Sequence, residues 1–158
     1  MTRRRWMVGA GLVLGLVATP PAVAYVNHDC VAMRELEELG AVLPEKTAQL
    51  DTFTDIGRLD GTCRTIVGTV LGTELPVKEV ATYAASSQAD RADLTEVAWA
   101  EPGAFMHRRV GDELPDPAPL PTAVERQLSR WMVLPAGVRR VVLFRTRLLD
   151  GGADPRCL

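Results

Sequence analysis

Residues 138–149 read V-R-R-V-V-L-F-R-T-R-L-L, the longest run of strand-forming residues in the chain. β-Branched and aromatic side chains favour the extended backbone of a strand. Pro135 and Gly137 lie just before the run and interrupt the element that precedes it. The run therefore predicts a long strand near the C-terminus.

The elements before this strand alternate between single helices and pairs of strands. They are a helix over 30–39, strands over 47–54 and 64–71, a helix from Pro76, strands over 94–100 and 104–110, and a helix from Thr122. Helices placed between hairpin-linked strands are typical of an α+β fold. We therefore predict a single small α+β domain with a mainly antiparallel sheet of about five strands and about three helices on one face of the sheet.

A turn, a helix start and a loop each have a distinct local sequence pattern. Glu101-Pro102-Gly103 predicts the turn of a hairpin, because proline and glycine supply the restricted and the permissive backbone angles that a turn needs. Thr122 and Glu125 have the spacing of a capping box at a helix start. Residues 111–121 are acidic and rich in proline, which predicts an exposed loop without regular structure.

An export signal is predicted over residues 1–24. A cluster of three arginines precedes an apolar run from Trp6 to Ala18, and Ala22 and Ala24 supply the small residues that a signal peptidase requires. The cluster fits both the general secretory and the twin-arginine routes. Cleavage after Ala24 would leave a domain of residues 25–158.

The competing interpretation is an uncleaved membrane anchor over residues 6–26. The thirteen apolar residues from Trp6 to Ala18 would span only about 20 Å as a helix, against a hydrocarbon core of roughly 30 Å. Pro20 and Pro21 interrupt any longer helix. Length and the two prolines therefore favour cleavage, and both interpretations place residue 25 onward across the membrane.

Cleavage would also change the charge of the chain. The whole sequence has 18 basic and 20 acidic residues, and removing the three arginines of the leader leaves 15 basic residues against 20 acidic ones, a net charge near −5. An acidic domain does not favour nucleic-acid binding, which needs a basic face to neutralise phosphates. We expect no nucleic-acid partner, and membrane contact only through an uncleaved leader.

The three cysteines fit an oxidising compartment, where disulfides persist. They are Cys30, Cys63 and Cys157. We expect a structural bridge between Cys30 and Cys63, because a strand that returns along the first helix would bring the two cysteines to one end of the domain. A bridge from Cys157 to either of the other two is the open alternative.

Catalytic and metal-binding patterns are sparse. His28 and His107 are the two histidines, and His107 alternates with Phe105 and Arg109 as a residue on a strand face does. Cysteine and histidine lack the spacing of a zinc site, so we predict no metal and no cofactor. The sharpest enzymatic hypothesis is a thiol enzyme in which Arg64 activates Cys63 and a histidine approaches in space.

Other polar and aromatic residues are interpreted structurally. Strand alternation places Arg139, Arg145 and Arg147 together on one face, which predicts a modest basic patch on an open side of the sheet. The glutamates at positions 35, 37 and 38 predict a solvated helix face. Trp99 and Trp131 are expected to anchor the core or its edge.

These patterns favour an exported protein that acts as a non-catalytic binding or structural module of the cell envelope or extracellular space. The alternative is a small secreted hydrolase or thiol enzyme that uses Cys63 or His107. No partner or ligand class follows from the motifs.

Overall fold

A computed structural model of the protein describes residues 20–40, 43–87 and 94–148, with side chains from residue 30 onward. The described chain forms three helices and five strands in the order α-β-β-α-β-β-α-β. This order is the predicted one. The elements are α1 Pro20–Gly40, β1 Thr47–Leu59, β2 Thr62–Thr73, α2 Val77–Ser87, β3 Thr95–Glu101, β4 Ala104–Arg109, α3 Thr122–Ser129 and β5 Arg139–Leu148.

The five strands form one antiparallel sheet in the order β1-β2-β5-β3-β4. Two hairpins, β1–β2 and β3–β4, lie on either side of the last strand of the chain. The β3–β4 turn at Pro102–Gly103 was predicted, and Gly103 has the positive φ of 84° that favours glycine there. The first hairpin is longer than expected, because its strands continue to a turn at Asp60–Gly61. The predicted long C-terminal strand is therefore the centre of the sheet.

The helices cover both faces of the sheet, so the prediction of helices on one face is wrong. One core cluster joins residues of α1 and α2 to Val67, Leu71 and Leu143. The other core cluster joins Val124 and Leu128 of α3 to strand residues on the opposite face of the sheet, among them Phe144, which is adjacent to Leu143 in the chain. Successive strand residues face opposite sides, and near-continuous burial along β2 and β5 fits a sheet with two covered faces.

On the α3 face, a side chain at Gly68 would collide with its neighbours. A Cβ atom added to Gly68 would lie 2.5 Å from the ring of Phe53 and 3.1 Å from the carbonyl oxygen of Leu143. Glycine in the middle of a strand lets another group approach the backbone closely. The Phe53 ring therefore packs directly over β2 at this point.

The starts of α1 and α3 differ from the predictions. The first helix was predicted over 30–39, but α1 begins at Pro20, so the backbone of Ala22 and Ala24 belongs to it. Residues 1–19 of the predicted leader lie outside the described residues. Proline is tolerated in the first turn, where the backbone donors have no partner inside the helix. α3 begins at Thr122 with Pro121 as its N-cap and no side-chain cap, so the capping box is not formed.

The cysteines do not form the bridge that we expected first. Cys30 is an exposed free thiol, and Cys63 has a bonded partner. The Cys30–Cys63 pairing is therefore wrong, because a free Cys30 cannot be the partner of Cys63. Cys157 lies outside the described residues, and a bridge from Cys63 to Cys157 stays a prediction.

No helix among the described residues has both the length and the apolar composition needed to cross a membrane.

Candidate functional site

His107 is the buried imidazole of the α3 face. It lies on β4 opposite Ala98, and its side chain is 5% exposed. Its ring is tilted against Phe144 of β5, with the two ring centroids 6.3 Å apart. The predicted strand-face position of His107 is confirmed, and its ring is buried among Glu96, Ala118 and Phe144.

Both ring nitrogens of His107 face oxygen atoms. Nδ1 lies 2.9 Å from Glu96 Oε2, and Nε2 lies 2.7 Å from the carbonyl oxygen of Ala118. A carbonyl only accepts hydrogen bonds, and so does an ionised carboxylate. Satisfying both contacts takes two protons, one on Nε2 and one between Nδ1 and Glu96. With these two protons the Glu96–His107 pair has no net charge, which fits its burial.

This pair fixes the proline-rich loop to the edge of the sheet. The Asp116 amide donates to the carbonyl oxygen of His107 at 2.8 Å, and the Ala118 amide donates to Asp116 Oδ1 at 2.8 Å. Further along, Leu120 is buried in the α3 core cluster. The loop over 111–121 was predicted to be exposed, and most of it is. Its last residues instead belong to the core, because His107 ties the chain to β4.

The same residues could be considered as a metal site. Donor atoms of Glu96, His107 and Asp116 all lie within 4.8 Å of one another. Each of the three side chains already makes a hydrogen bond inside the protein. A metal would have to replace the proton between Nδ1 and Glu96, since zinc binds histidine nitrogen at about 2.0–2.1 Å. The hydrogen bonds therefore favour a proton over a metal at this position.

The opposite face of the sheet carries a second group of charged residues. Arg145 of β5 is 2% exposed, and it donates to Thr95 Oγ1 at 3.0 Å and to Glu38 Oε2 at 2.9 Å. Arg147 pairs with Glu35 of α1 at 3.1 Å, and the Glu35 side chain is 4% exposed. These ion pairs join α1 to the sheet.

One prediction about charged residues is therefore wrong, and a second holds only in part. The basic patch on an open side of the sheet is not formed, because α1 covers Arg145. The solvated helix face holds for Glu37, which is exposed, but Glu35 is buried and Glu38 is partly buried, and these two are the partners of the β5 arginines. Glu35 and Glu38 are three residues apart on a helix, and Arg145 and Arg147 are two residues apart on a strand, so each pair shares one face. This pattern in the sequence could have indicated the contact.

The connection from α3 to β5 exposes large apolar side chains. We call Trp131 and Val133 the apolar tip; they are 92% and 86% exposed, whereas Met132 and Leu134 between and after them are partly buried. The prediction of Trp131 as a core anchor is wrong, because α3 ends at Ser129 and the chain then leaves the core. Trp99 does pack at the core edge, with its indole donating to Glu101 at 2.7 Å.

Arg140 holds the base of the apolar tip. Its Nη1 donates to the carbonyl oxygens of Gln127, Leu128 and Arg130, where α3 ends. A cation at this end satisfies carbonyls that have no partner in the helix. Burial lowers the pKa of the Arg140 guanidinium, and the positive charge of Arg130 lowers it further.

The structure keeps the two enzymatic candidates apart. His107 lies opposite Ala98 of β3, which lies opposite Val142 of β5, which in turn lies opposite Val70 of β2. Val70 is therefore three strands away from His107, about 14 Å across the sheet. Cys63 lies seven residues before Val70 on β2, roughly 23 Å further along the strand direction. Cys63 and His107 therefore cannot act as a nucleophile and its base in this arrangement.

Glu96 and Asp116 were not selected from the sequence. Glu96 could have been found, because a two-residue turn fixes the β3–β4 register and places Glu96 diagonally from His107 on the same face. Asp116 carried no such signal, since its position depends on the path of an irregular loop.

Fold and site together define a three-layer α+β domain with an antiparallel sheet between two helical layers. No protein family, no curated protein and no solved structure matches this chain.

Proposed function

We propose that this chain is an exported, non-catalytic binding module of the cell envelope or extracellular space. The observation that carries the binding role is the apolar tip, in which a tryptophan is 92% exposed beside a valine that is 86% exposed. The arginine cluster, apolar run and Ala22/Ala24 pair of the leader support the exported location.

Tryptophan is a strong binding residue because its large ring buries much surface and its indole N–H keeps a polar contact. The apolar tip also stands on an ordered base, since Arg140 bridges three carbonyl groups at the end of α3. A contact residue held in place before binding loses less conformational entropy on binding. These features favour a surface that binds over one that is merely left exposed.

The alternative, a small secreted hydrolase or thiol enzyme using Cys63 or His107, has less support. Both nitrogens of His107 are engaged by Glu96 and Ala118, so the ring has no free nitrogen to act as a base. Cys63 has a bonded partner and is separated from His107 by two strands of the sheet.

A thiol count on the exported, non-reduced protein distinguishes the two functions. The binding-module proposal expects one reactive thiol, at Cys30, and peptide mapping that links Cys63 to Cys157. Three reactive thiols would contradict the bridge and restore Cys63 as a candidate nucleophile.

The location and the binding role are tested together by fractionating cells that express the full chain with its own leader. We expect soluble protein that begins at Tyr25, and an intact arginine cluster in the membrane fraction would contradict cleavage. Exported protein should associate with isolated cell envelopes, and Trp131→Ala should reduce this association. Leu114→Ala is the matched control, because Leu114 is 78% exposed but lies outside the apolar tip. Equal association of all three proteins would contradict the binding role of the tip.

A further inference from the structure

We propose that the apolar tip binds the surface of an anionic lipid bilayer, with Trp131 and Val133 at the boundary between headgroups and acyl chains. This inference rests on the proposed function and names the partner of that same surface. The contact is made by the folded domain and does not depend on the leader.

The shape of the tip is suited to a bilayer. α3 ends at Ser129, and Arg130 has the extended backbone angles φ −57° and ψ 127°. Along the following residues exposure alternates, so that Trp131 and Val133 are open to solvent while Met132 and Leu134 are partly buried. Tryptophan is enriched at membrane interfaces, where its apolar ring and polar N–H each find a suitable environment.

The segment that carries the tip is basic, which is the sign of charge that anionic lipids attract. Residues 126–140 contain four arginines and no acidic residue, although the domain left after cleavage has 15 basic and 20 acidic residues. Arg126 pairs with Asp55 at 3.6 Å and Arg130 pairs with Asp51 at 2.6 Å, yet the two arginine side chains are still 70% and 58% exposed. Cations beside apolar residues strengthen binding to anionic bilayers.

The small size of the tip favours a bilayer over a protein partner. A tryptophan and a valine together offer at most about 400 Å² of surface, whereas a stable protein interface buries about 800 Å² on each partner. Insertion into the headgroup region needs no shape complementarity, because lipids rearrange around the side chains. Two anchoring residues flanked by arginines are therefore sufficient for a weak, reversible membrane contact.

Vesicle binding tests this proposal with the soluble exported protein. We use vesicles made of equal parts phosphatidylglycerol and phosphatidylcholine, with pure phosphatidylcholine vesicles for comparison. In a Trp99→Phe background Trp131 is the remaining tryptophan after Tyr25, so its fluorescence reports on the tip. We expect a blue shift and co-sedimentation with the anionic vesicles, and weaker effects with the neutral vesicles.

With Trp99 in place, Trp131→Ala should weaken binding to the anionic vesicles by about tenfold. This is the loss expected when one large apolar side chain no longer enters the bilayer. Leu114→Ala should leave vesicle binding unchanged. The urea midpoint of Trp131→Ala should match that of the parent, because the side chain is 92% exposed and contributes little to the core. This measurement separates a lost contact from a lost fold.

Two results would overturn the membrane assignment. The first is that the protein does not bind vesicles while its envelope association still depends on Trp131. A protein partner would then occupy the tip, and the proposed function would stand. The other is vesicle binding that Trp131→Ala leaves unchanged. Failure of the proposed function itself looks different, because it shows as uncleaved protein or as envelope association independent of Trp131.

Discussion

Phe144 and Arg145 are adjacent on the central strand β5, both are buried, and they face opposite sides of the sheet. Phe144 belongs to the α3 core cluster beside His107. Arg145 lies under α1, where it binds Glu38 and Thr95. One face thus joins a helix to the sheet by ion pairs, while the other joins a loop to the sheet through an imidazole.

The two faces stabilise their buried charged groups with partners from different parts of the chain. On the α1 face the partners come from distant parts of the chain, 107 residues apart for Arg145 and Glu38, and Glu38 is 36% exposed. On the α3 face Glu96 and His107 come from one hairpin. A buried ion pair is destabilising when one partner is removed, but it is weak evidence for stability as a whole. We therefore expect the faces to respond differently to single substitutions.

The largest effect is expected for Phe144→Ala, which removes a fully buried ring from the α3 face. The variant should lower the free energy of unfolding by about 4 kcal/mol, because it loses apolar burial and leaves a cavity. Urea unfolding measures the change. Leu148→Ala on the same strand is the control, since Leu148 is 59% exposed. A cost below about 1 kcal/mol would show that this face is loosely packed.

On the other face, Arg145→Ala should lower the free energy of unfolding by about 3 kcal/mol, because it removes one partner of a mostly buried ion pair. The matched control is Arg34→Ala; Arg34 is 62% exposed and lies 3.8 Å from the same Glu38. Losing that exposed pair should cost less than about 0.5 kcal/mol. Equal costs for the two arginine variants would mean that burial of Arg145 adds nothing to the contact.

His107→Ala should cost about 2 kcal/mol, because Glu96 and the Ala118 carbonyl each lose a partner. Faster hydrogen exchange at the Asp116 amide should accompany it, as the loop is released from β4. Glu96→Gln should be much milder, since the amide can donate to Nδ1 while Nε2–H still reaches Ala118.

The Glu96→Gln variant also tests the proton count. NMR of the parent should show a proton bound to Nε2 and another in the Nδ1–Glu96 hydrogen bond. In the variant Nδ1 should become an acceptor without its own proton. Unchanged exchange at Asp116 in His107→Ala would refute the role of the imidazole in holding the loop.

The smallest effect is expected for Thr122→Ala at the start of α3. We expect a change below about 0.5 kcal/mol, because Pro121 is the N-cap and no side chain caps the helix. Removing a functional threonine cap typically costs about 1 kcal/mol. A loss of that size in thermal or urea unfolding would indicate that the capping box forms in solution.

Local patterns predicted the elements well, because each depends on a few neighbouring residues. The Pro102–Gly103 turn, the proline near the start of α2 and the long β-branched run of β5 each act within a few positions. Faces were predicted poorly. Alternation separated Arg145 from Arg140 correctly but did not reveal that α1 covers Arg145, since that depends on where a helix more than a hundred residues earlier packs.

One part of the candidate site could be predicted from local sequence, and the other part could not. The hairpin register is local and already relates Glu96 to His107, whereas the positions of Asp116 and Ala118 follow from the loop path. Exposure of Trp131 could not be predicted either, because an aromatic residue after a helix fits a core edge as readily as an open loop.

Short-range backbone preferences and composition are enough to predict the number and order of helices and strands, the pairing of neighbouring strands into hairpins, and the acidic character of the chain. Its leader pattern also predicts export. Long-range packing places β5 between the two hairpins, covers both faces of the sheet with helices, buries Arg145 and leaves Trp131 exposed. Burial is a property of the whole assembly of layers, since a side chain is removed from water only by segments that fold against it from elsewhere in the chain.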